Sequence, residues 1–553
     1  MKYFPSFLFL ILFFVASHFG IAQNKVLPYL KKNGNATQLI VDGKPFLMIS
    51  GELHNSSSSS VEYMKPIWPK LKAMNLNSVI ASISWEQFEH EEGTYDYTLV
   101  EHLINEAKAQ DLKLCLIWFA SWKNGESSYL PMWVKRDTKR FFRVKDKNGN
   151  NIETVSPFCE EAMQADAKAF GKLMKHIREI DNDHTVIMMQ PENEVGIFQD
   201  IDYSNQALKN YNQEVPARLL SYLKEHVSTL KPEIKSLWQV NGSKMQGSWK
   251  SVFGDNPSSK EFMMAWQYAS YINEVAKSGK QEHPLPMFVN AWLVQKPDDL
   301  PGVYPNGGPV SRVMDIYKAA ATEIDIVSPD IYLPNFKEIC SMYHRSDNPL
   351  LIPESRMIEG WAFYAFAAHD AICLSPFGIE DGVTNFTFSK AYQVLNELMP
   401  VITQYQGTGK MVGVLKEHNE IDTTVILGNY RFKVVYDKSE PSYGLIIQPS
   451  ADEFLISGVK LKVFVSSPDT NRVAYVGQVW EGSFENGVWK PVRLLNGDET
   501  WNHRMVSVFG RQYDSTEKLA TSAEIKPDSY SAKENKIIST AGIYKVIIYL
   551  RDK

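Results

Sequence analysis

Val186-Ile187-Met188-Met189-Gln190-Pro191-Glu192-Asn193-Glu194-Val195-Gly196 starts as an apolar run and ends on carboxylates and a glycine. A short run rich in apolar residues reads as a strand buried on both faces, the kind found in parallel sheets covered by helices. A second stretch, Leu350-Leu351-Ile352-Pro353-Glu354-Ser355-Arg356, is built the same way. Two apolar strands thus each end on a carboxylate, and what lies around them decides the fold.

Six further apolar runs flank them: Phe46–Leu53, Ser78–Trp85, Lys113–Trp122, Met287–Trp292, Ile324–Tyr332 and Ala371–Pro376. Helical stripes lie between. Met64, Ile67, Trp68, Leu71 and Met74 recur at helical spacing, with Pro66 and Pro69 in the opening turn. Leu99, Leu103, Ile104 and Ala107 form a second stripe; Met163, Phe170, Met174 and Ile177 form a third. A repeated strand–helix order with eight strands predicts an α/β chain folded as a (β/α)8 (TIM) barrel. A doubly wound open sheet would need a phosphate-binding fingerprint after a strand. Gly407, Gly409 and Gly413 have the wrong spacing and follow a helical pattern. The long segment from Val195 to Pro286 is expected to hold the fourth helix and an insertion over the barrel mouth, around Trp238–Gly254.

The pattern changes after Tyr405. Gln406-Gly407-Thr408-Gly409 reads as a linker, and short alternating runs follow at Tyr430–Tyr436, Leu445–Gln448, Lys460–Val465 and Tyr544–Leu550. The expected organisation is a signal peptide (1–22), a barrel domain (23–405) and an all-β, sandwich-like domain (410–553). The signal peptide rests on Lys2, the unbroken apolar run Phe7–Ala16 and the small residues Gly20 and Ala22. That run is too short for a membrane span, which takes about 20 residues. The expected location is therefore periplasmic or extracellular.

Composition narrows the function classes. The 553 residues are 44% hydrophobic and 22% charged, with a net charge of −6. That is globular, and no basic run supports a nucleic-acid partner. The four cysteines, Cys115, Cys159, Cys340 and Cys373, are too widely spaced for a zinc site or a redox pair and read as buried thiols. No H-E-x-x-H helix, G-x-S-x-G elbow or P-loop occurs, so neither metal nor cofactor is called for. Oligomeric state is not legible.

The carboxylates remain. In a barrel the C-terminal ends of the strands carry the site, so Glu194 (or Glu192, which has the same strand parity) and Glu354 meet at one mouth. A pair of carboxyl groups, one protonated and one ionised, suits hydrolysis of a glycosidic bond, and Arg356 is placed to favour the ionised form of Glu354 if it turns inward. Trp122 and Trp292, at the ends of strands three and five, can cover the apolar face of a sugar ring. His54 and Asn124 follow strands at the mouth and can bind hydroxyls. Trp118, Phe119 and Trp122 are expected to wall off one ring. Glu52 and Trp85 read as architectural.

Asn193-Glu194 and Glu354 resemble the signature of glycoside hydrolase clan A. The resemblance implies Glu194 as acid/base, Glu354 as nucleophile, Asn193 on the sugar 2-hydroxyl and Tyr332 hydrogen-bonded to the nucleophile. Ser50-Gly51-Glu52-Leu53-His54, Trp85-Glu86-Gln87-Phe88-Glu89, Leu130-Pro131-Met132-Trp133 and Gln190–Gly196 resemble family 35, the β-galactosidases. Asp452–Gly458 resembles the domain of unknown function that accompanies one bacterial branch of it. The implied function is a retaining exo-β-galactosidase that removes terminal galactose from plant-type side chains such as xyloglucan. The first- and third-strand loops depart from the family pattern: Asn55 and a serine run follow His54, and Trp118–Asn124 replace the third-strand segment. A β-glucosidase, a β-glucosaminidase and a non-catalytic carbohydrate-binding protein stand as alternatives.

Overall fold

The computed structural model describes residues 26–495, 497–514 and 537–553; the segment read as a signal peptide lies outside the described residues. Eight parallel strands form the barrel: β1 (Met48–Ile49), β2 (Ser78–Ser84), β3 (Lys113–Lys123), β4 (Val186–Asn193), β5 (Phe288–Trp292), β6 (Ile326–Ile331), β7 (Leu351–Ser355) and β8 (Cys373–Pro376). Parallel ladders join β2–β3–β4 and β5–β6–β7–β8–β1. Single parallel bridges, Glu52 to Ile80 and Met189 to Met287, close the two remaining seams. Each apolar run of the sequence supplies one strand. β1 is shorter than the expected Phe46–Leu53, because past Ile49 the chain is held only by isolated bonds such as Glu52 N–H to Pro376 O at 2.8 Å.

Helices α1 (Trp68–Ala73), α2 (Thr98–Ala109), α3 (Glu160–Ile180), α4 (Pro257–Glu282), α5 (Met314–Ala320), α6 (Phe336–Tyr343), α7 (Glu359–Ala368) and α8 (Phe386–Tyr405) make the outer layer. The stripes read from sequence face inward: Trp68 and Leu71 on α1, and Phe170, Met174 and Ile177 on α3, are buried. The barrel interior is filled by Met48, Ile80, Cys115, Ile117, Ile187, Met188, Phe288, Ile326, Leu351 and Cys373. An antiparallel three-stranded meander, Tyr29–Phe46, adds Leu39 and Val41 to that interior core. All four cysteines are buried and unbridged. The Val195–Pro286 connection contains short helices at Asn205–Asn212, Ala217–Glu225, Pro232–Val240 and Trp249–Phe253 ahead of α4. They pack on α4 and α5, in the outer layer, where sequence reading expected a cover over the mouth.

Beyond Tyr405 the described residues form two larger antiparallel sheets, one of six strands (first strand Met411–Leu415) and one of four (first strand Asp422–Leu427), and a two-stranded ribbon of Arg511–Asp514 and Ile537–Thr540. The facing side chains of the two larger sheets, among them Phe432, Val434, Phe454, Ile456, Val463, Val476 and Val546, share one core. This is a sandwich-like all-β domain. It is tied to the barrel by α7, which lies against Met411–Leu415, and by Arg511, which grips Glu397 of α8 with two bonds of 2.8 and 2.7 Å. Among the described residues no helix is long and apolar enough to cross a membrane.

Candidate active site

Strand β4 shifts register against β3 at Ile187, pairs regularly from Met188 to Pro191, and then distorts again. Glu192 and Glu194 both take left-handed backbone angles, φ 65° and 43°. Non-glycine residues pay for that conformation, roughly 1–3 kcal/mol each, and such strain gathers at functional sites. Its effect is to break strand alternation, so two residues of equal parity point to different places. The Glu192 carboxylate accepts from Ser121 N–H (3.2 Å) and Trp122 N–H (2.7 Å), bracing the end of β3 from behind. Glu194 turns into the mouth. Its backbone N–H donates to Asn290 Oδ1 at 3.0 Å. Asn290 is the hub of the site floor: its Nδ2 donates to Asn193 Oδ1 (2.9 Å) and Asp330 Oδ2 (2.7 Å). Gln190 Nε2 donates to the same Asn193 oxygen at 2.9 Å. Asn193 is thereby fixed, and its own Nδ2 reaches Asn124 Oδ1 at 3.3 Å.

Glu354, at the end of β7, lies in register with Asp330 on β6. One carboxylate oxygen from each of Glu194, Asp330 and Glu354 falls within 4.8 Å of the others. Tyr332, just past β6, donates its hydroxyl to Glu354 Oε1 in a short hydrogen bond. Glu354 Oε2 is buried and has no protein partner among the described residues. One oxygen is therefore anchored and the other is left free to react.

Charge separates the two carboxyl groups. Burial, and then the negative charge of Glu354, push the Glu194 carboxyl up to about 7. Burial also raises Glu354, but the Lys123 ammonium and the Tyr332 hydroxyl act against it. Lys123, the last residue of β3, pairs in register with Asn193 and is only 8% exposed. Its Nζ donates to Asn124 Oδ1 at 2.6 Å. Its charge also acts on Glu194 and on the buried Glu52, whose own carboxyl is pushed well up by desolvation. Asp330 is likewise pushed well up, by desolvation and by the charges of Glu354 and Glu194. The unequal surroundings favour a proton on one carboxyl and ionisation of its neighbour, as acid catalysis paired with nucleophilic attack requires. Glu194, Asp330 and Glu354 are also the one cluster among the described residues with metal-holding geometry. The buried Lys123 charge beside them opposes a second cation there.

Several expected contacts are corrected by the structure. Trp122 is fully buried, donates to Val155 O at 3.0 Å and packs edge-on against Tyr268 and Tyr271 of α4. It cannot touch a sugar. Trp118 is also fully buried, bonded to Asp166 at 2.8 Å, and Phe119 lies in the barrel interior, so neither builds a wall at the mouth. A wholly apolar strand sends alternate side chains to the barrel interior and to the helix layer, and bulk alone does not say which end is wet. Arg356 is exposed, and the cation acting on Glu354 is Lys123 instead. Asn124 does stand at the mouth, but its oxygen is already taken by Lys123 and Asn193, leaving its N–H groups for a ligand. His54 is at the rim, its Nε2 2.7 Å from Asp381 and its ring edge-on to Phe377. Trp292 is partly buried at the end of β5, in register with Asp330.

Residues 38–286 match the profile of glycosyl hydrolases family 35, and residues 388–507 match a domain of unknown function, DUF5597. The family 35 match lies wholly within the barrel domain. A beta-galactosidase of Xanthomonas manihotis is 28% identical over 171 residues, 30% of this chain and 26% of that protein. The chain thus spans about a quarter of the length of the curated relative it matches. Among solved structures, a beta-galactosidase from Bacillus circulans sp. alkalophilus aligns with a TM-score of 0.44 and 15% identity, over 64% of this chain and 57% of the other. A beta-1,4-D-mannanase from Cryptopygus antarcticus aligns at 0.40 and 13%, over 67% and 95%.

Within this barrel, sequence reading took Glu52 as architectural and passed over Lys123, Asn290 and Asp330. All four share one signal. Each is a polar residue near the C-terminal end of an otherwise apolar strand run. Burying such a group without a partner is costly, so its presence there points to a ligand or to a polar network.

Proposed function

We propose that this protein is a retaining exo-β-galactosidase of family 35. The observation that carries the reading is the approach of Glu194 and Glu354, with carboxylate oxygens within 4.8 Å, on strands four and seven of the barrel. Retaining glycosidases hold their carboxyl groups roughly 5–5.5 Å apart, whereas inverting ones need room for water at about 6.5–9.5 Å. Glu354, through its free Oε2, attacks the anomeric carbon as the bond to the leaving oxygen breaks. Glu194 gives that oxygen its proton. In the second half Glu194, now ionised, takes a proton from water, and the water oxygen displaces Glu354 from the sugar. Asn193, held by Gln190 and Asn290, offers its amide to the 2-hydroxyl.

Galactose as the sugar is supported by the family and by the named Xanthomonas relative. The second domain suggests the branch acting on plant side chains such as xyloglucan. The axial 4-hydroxyl needs partners that an equatorial hydroxyl would leave unpaired, a difference of roughly 1–3 kcal/mol. The Asn124 N–H groups and His54 are the candidates. Export follows from the N-terminal reading: cleavage after Ala22 into the periplasm or beyond the cell, which sequencing of the mature N-terminus checks.

Rates on 4-nitrophenyl β-galactoside and β-glucoside, followed by galactosylated xyloglucan oligosaccharides, test the substrate. Equal rates on the two aryl glycosides would remove the galactose assignment. Galactosidase activity without release from the oligosaccharides would remove the xyloglucan part alone. NMR of the first product tests the stereochemistry: β-galactose is expected, and an α-anomer overturns retention.

A further inference from the structure

The reaction above concerns the sugar that is attacked; its leaving group also needs a place. Because Glu194 protonates the leaving oxygen, the leaving group must lie on the Glu194 side of the mouth. The chain that follows Glu194 builds a surface there, and the structure shows how firmly.

Gly196 takes φ 133°, and an added Cβ would come within 2.7 Å of Pro305, so the backbone is packed tight at that point. The next residue, Ile197, exchanges two backbone hydrogen bonds with Asn306, of 3.1 and 2.8 Å. These hold the chain just before Phe198. Phe198 is 46% exposed. Its ring rests on Gly125, where an added Cβ would sit 2.9 Å from Cε2, and Gly125 N–H donates to Glu194 O at 3.0 Å. On another side it meets Trp292 edge-to-face, with centroids 5.7 Å apart and planes at 83°. An exposed phenylalanine alone is ordinary. One held between the loop after β3 and the end of β5, four residues past the proposed acid, is a rigid apolar platform at the rim of the catalytic site.

We infer that Phe198 and Trp292 form the floor of a subsite for the leaving-group sugar, the second pyranose of a β-galactosyl oligosaccharide. The inference rests on the galactosidase reading above. A pyranose presents an apolar C–H face that suits an aromatic ring, and neither side chain carries a charge, so the occupant is a neutral sugar. Binding energy gathered on this platform from a part of the substrate that does not react is available to position the scissile bond over Glu194.

The test compares a ligand that reaches the platform with one that does not. Calorimetric titration of the Glu354→Gln protein is made with methyl β-galactoside and with a galactose-terminated xyloglucan oligosaccharide, with and without Phe198→Ala. Phe198→Ala is expected to weaken the oligosaccharide about five- to tenfold and the methyl glycoside by less than about twofold. Phe198→Tyr is expected to keep the affinity, which guards against a folding artefact. Equal losses on both ligands, or no loss on the oligosaccharide, would overturn the subsite while leaving the galactosidase reading in place. Failure of both ligands to bind, with no cleavage of methyl β-galactoside by the wild-type protein, would overturn that reading and the subsite with it.

Discussion

Glu194 and Glu354 are buried to almost the same degree, 6% and 7% exposed, and each ends a barrel strand. Their neighbours differ. The carboxyl of Glu194 feels the negative charge of Glu354, against which the Lys123 ammonium and a hydrogen bond with Asp330 both act. Glu354 has a hydroxyl donor on one oxygen and the same lysine acting on it. Equal burial would raise both groups alike; unequal partners are what can divide one proton between them. The difference between the proposed acid and the proposed nucleophile therefore lies in their partners, the Glu354 charge beside Glu194 and the Tyr332 hydroxyl on Glu354, rather than in burial.

The harshest way to break this comparison is to remove each carboxylate in turn. Glu354→Ala is expected to reduce turnover to background with the fold intact by circular dichroism, and azide, entering the space the carboxylate leaves, is expected to restore activity with an α-galactosyl azide as product. Glu194→Ala is expected to cost roughly 10²–10⁴-fold on substrates with poor leaving groups, and far less on activated aryl galactosides, which need no proton. Glu192→Ala supplies the contrast. It leaves the N–H groups of Ser121 and Trp122 without acceptors, at about 1–3 kcal/mol each. Its signature is a lower melting temperature rather than leaving-group dependence. The reverse behaviour of Glu192→Ala and Glu194→Ala would exchange their assignments.

These two residues also mark how far the sequence could be read. All eight barrel strands, the helix stripes and the change to an all-β domain were legible, because burial on both faces and helical spacing leave periodic traces. The choice between Glu192 and Glu194 was not legible from spacing, since both have the same parity; it depends on two left-handed backbone angles that no pattern encodes. Trp122 and Trp118 misled for a related reason. A strand with no polar side on either face does not declare which side meets the helices. Lys123 was the polar end of that strand and carried the better signal.

Lys123 offers a subtler break, because its charge acts on both carboxyl groups. The wild-type kcat/KM profile should be a bell. Its acid limb reports loss of the ionised nucleophile as pH falls. Its basic limb falls as pH rises through about 7, where Glu194 gives up its proton. Lys123→Met withdraws a positive charge that favours ionisation of Glu354 and Glu194 alike. Both groups then hold their protons to higher pH, so the whole bell should move to the alkaline side, by roughly one unit. Movement of one limb alone would show that the lysine serves only one carboxyl group. An unmoved profile with a raised KM would make it a substrate contact and nothing more.

Tyr332→Phe should give the smallest change and the sharpest comparison. The hydroxyl touches Glu354 and acts on it less strongly than Lys123 does. Removing it takes a donor from the ionised nucleophile and leaves the surroundings of Glu194 as they were. Only the acid limb should then rise, by less than in Lys123→Met, while the basic limb stays near 7. The bell narrows from one side instead of translating. Loss of the hydroxyl also loosens the alignment of Oε2, so kcat should fall even at the optimum pH. If the two substitutions gave the same displacement of both limbs, the two carboxyl groups would be titrating as one unit, and the separate roles assigned to them by their neighbours would have to be abandoned.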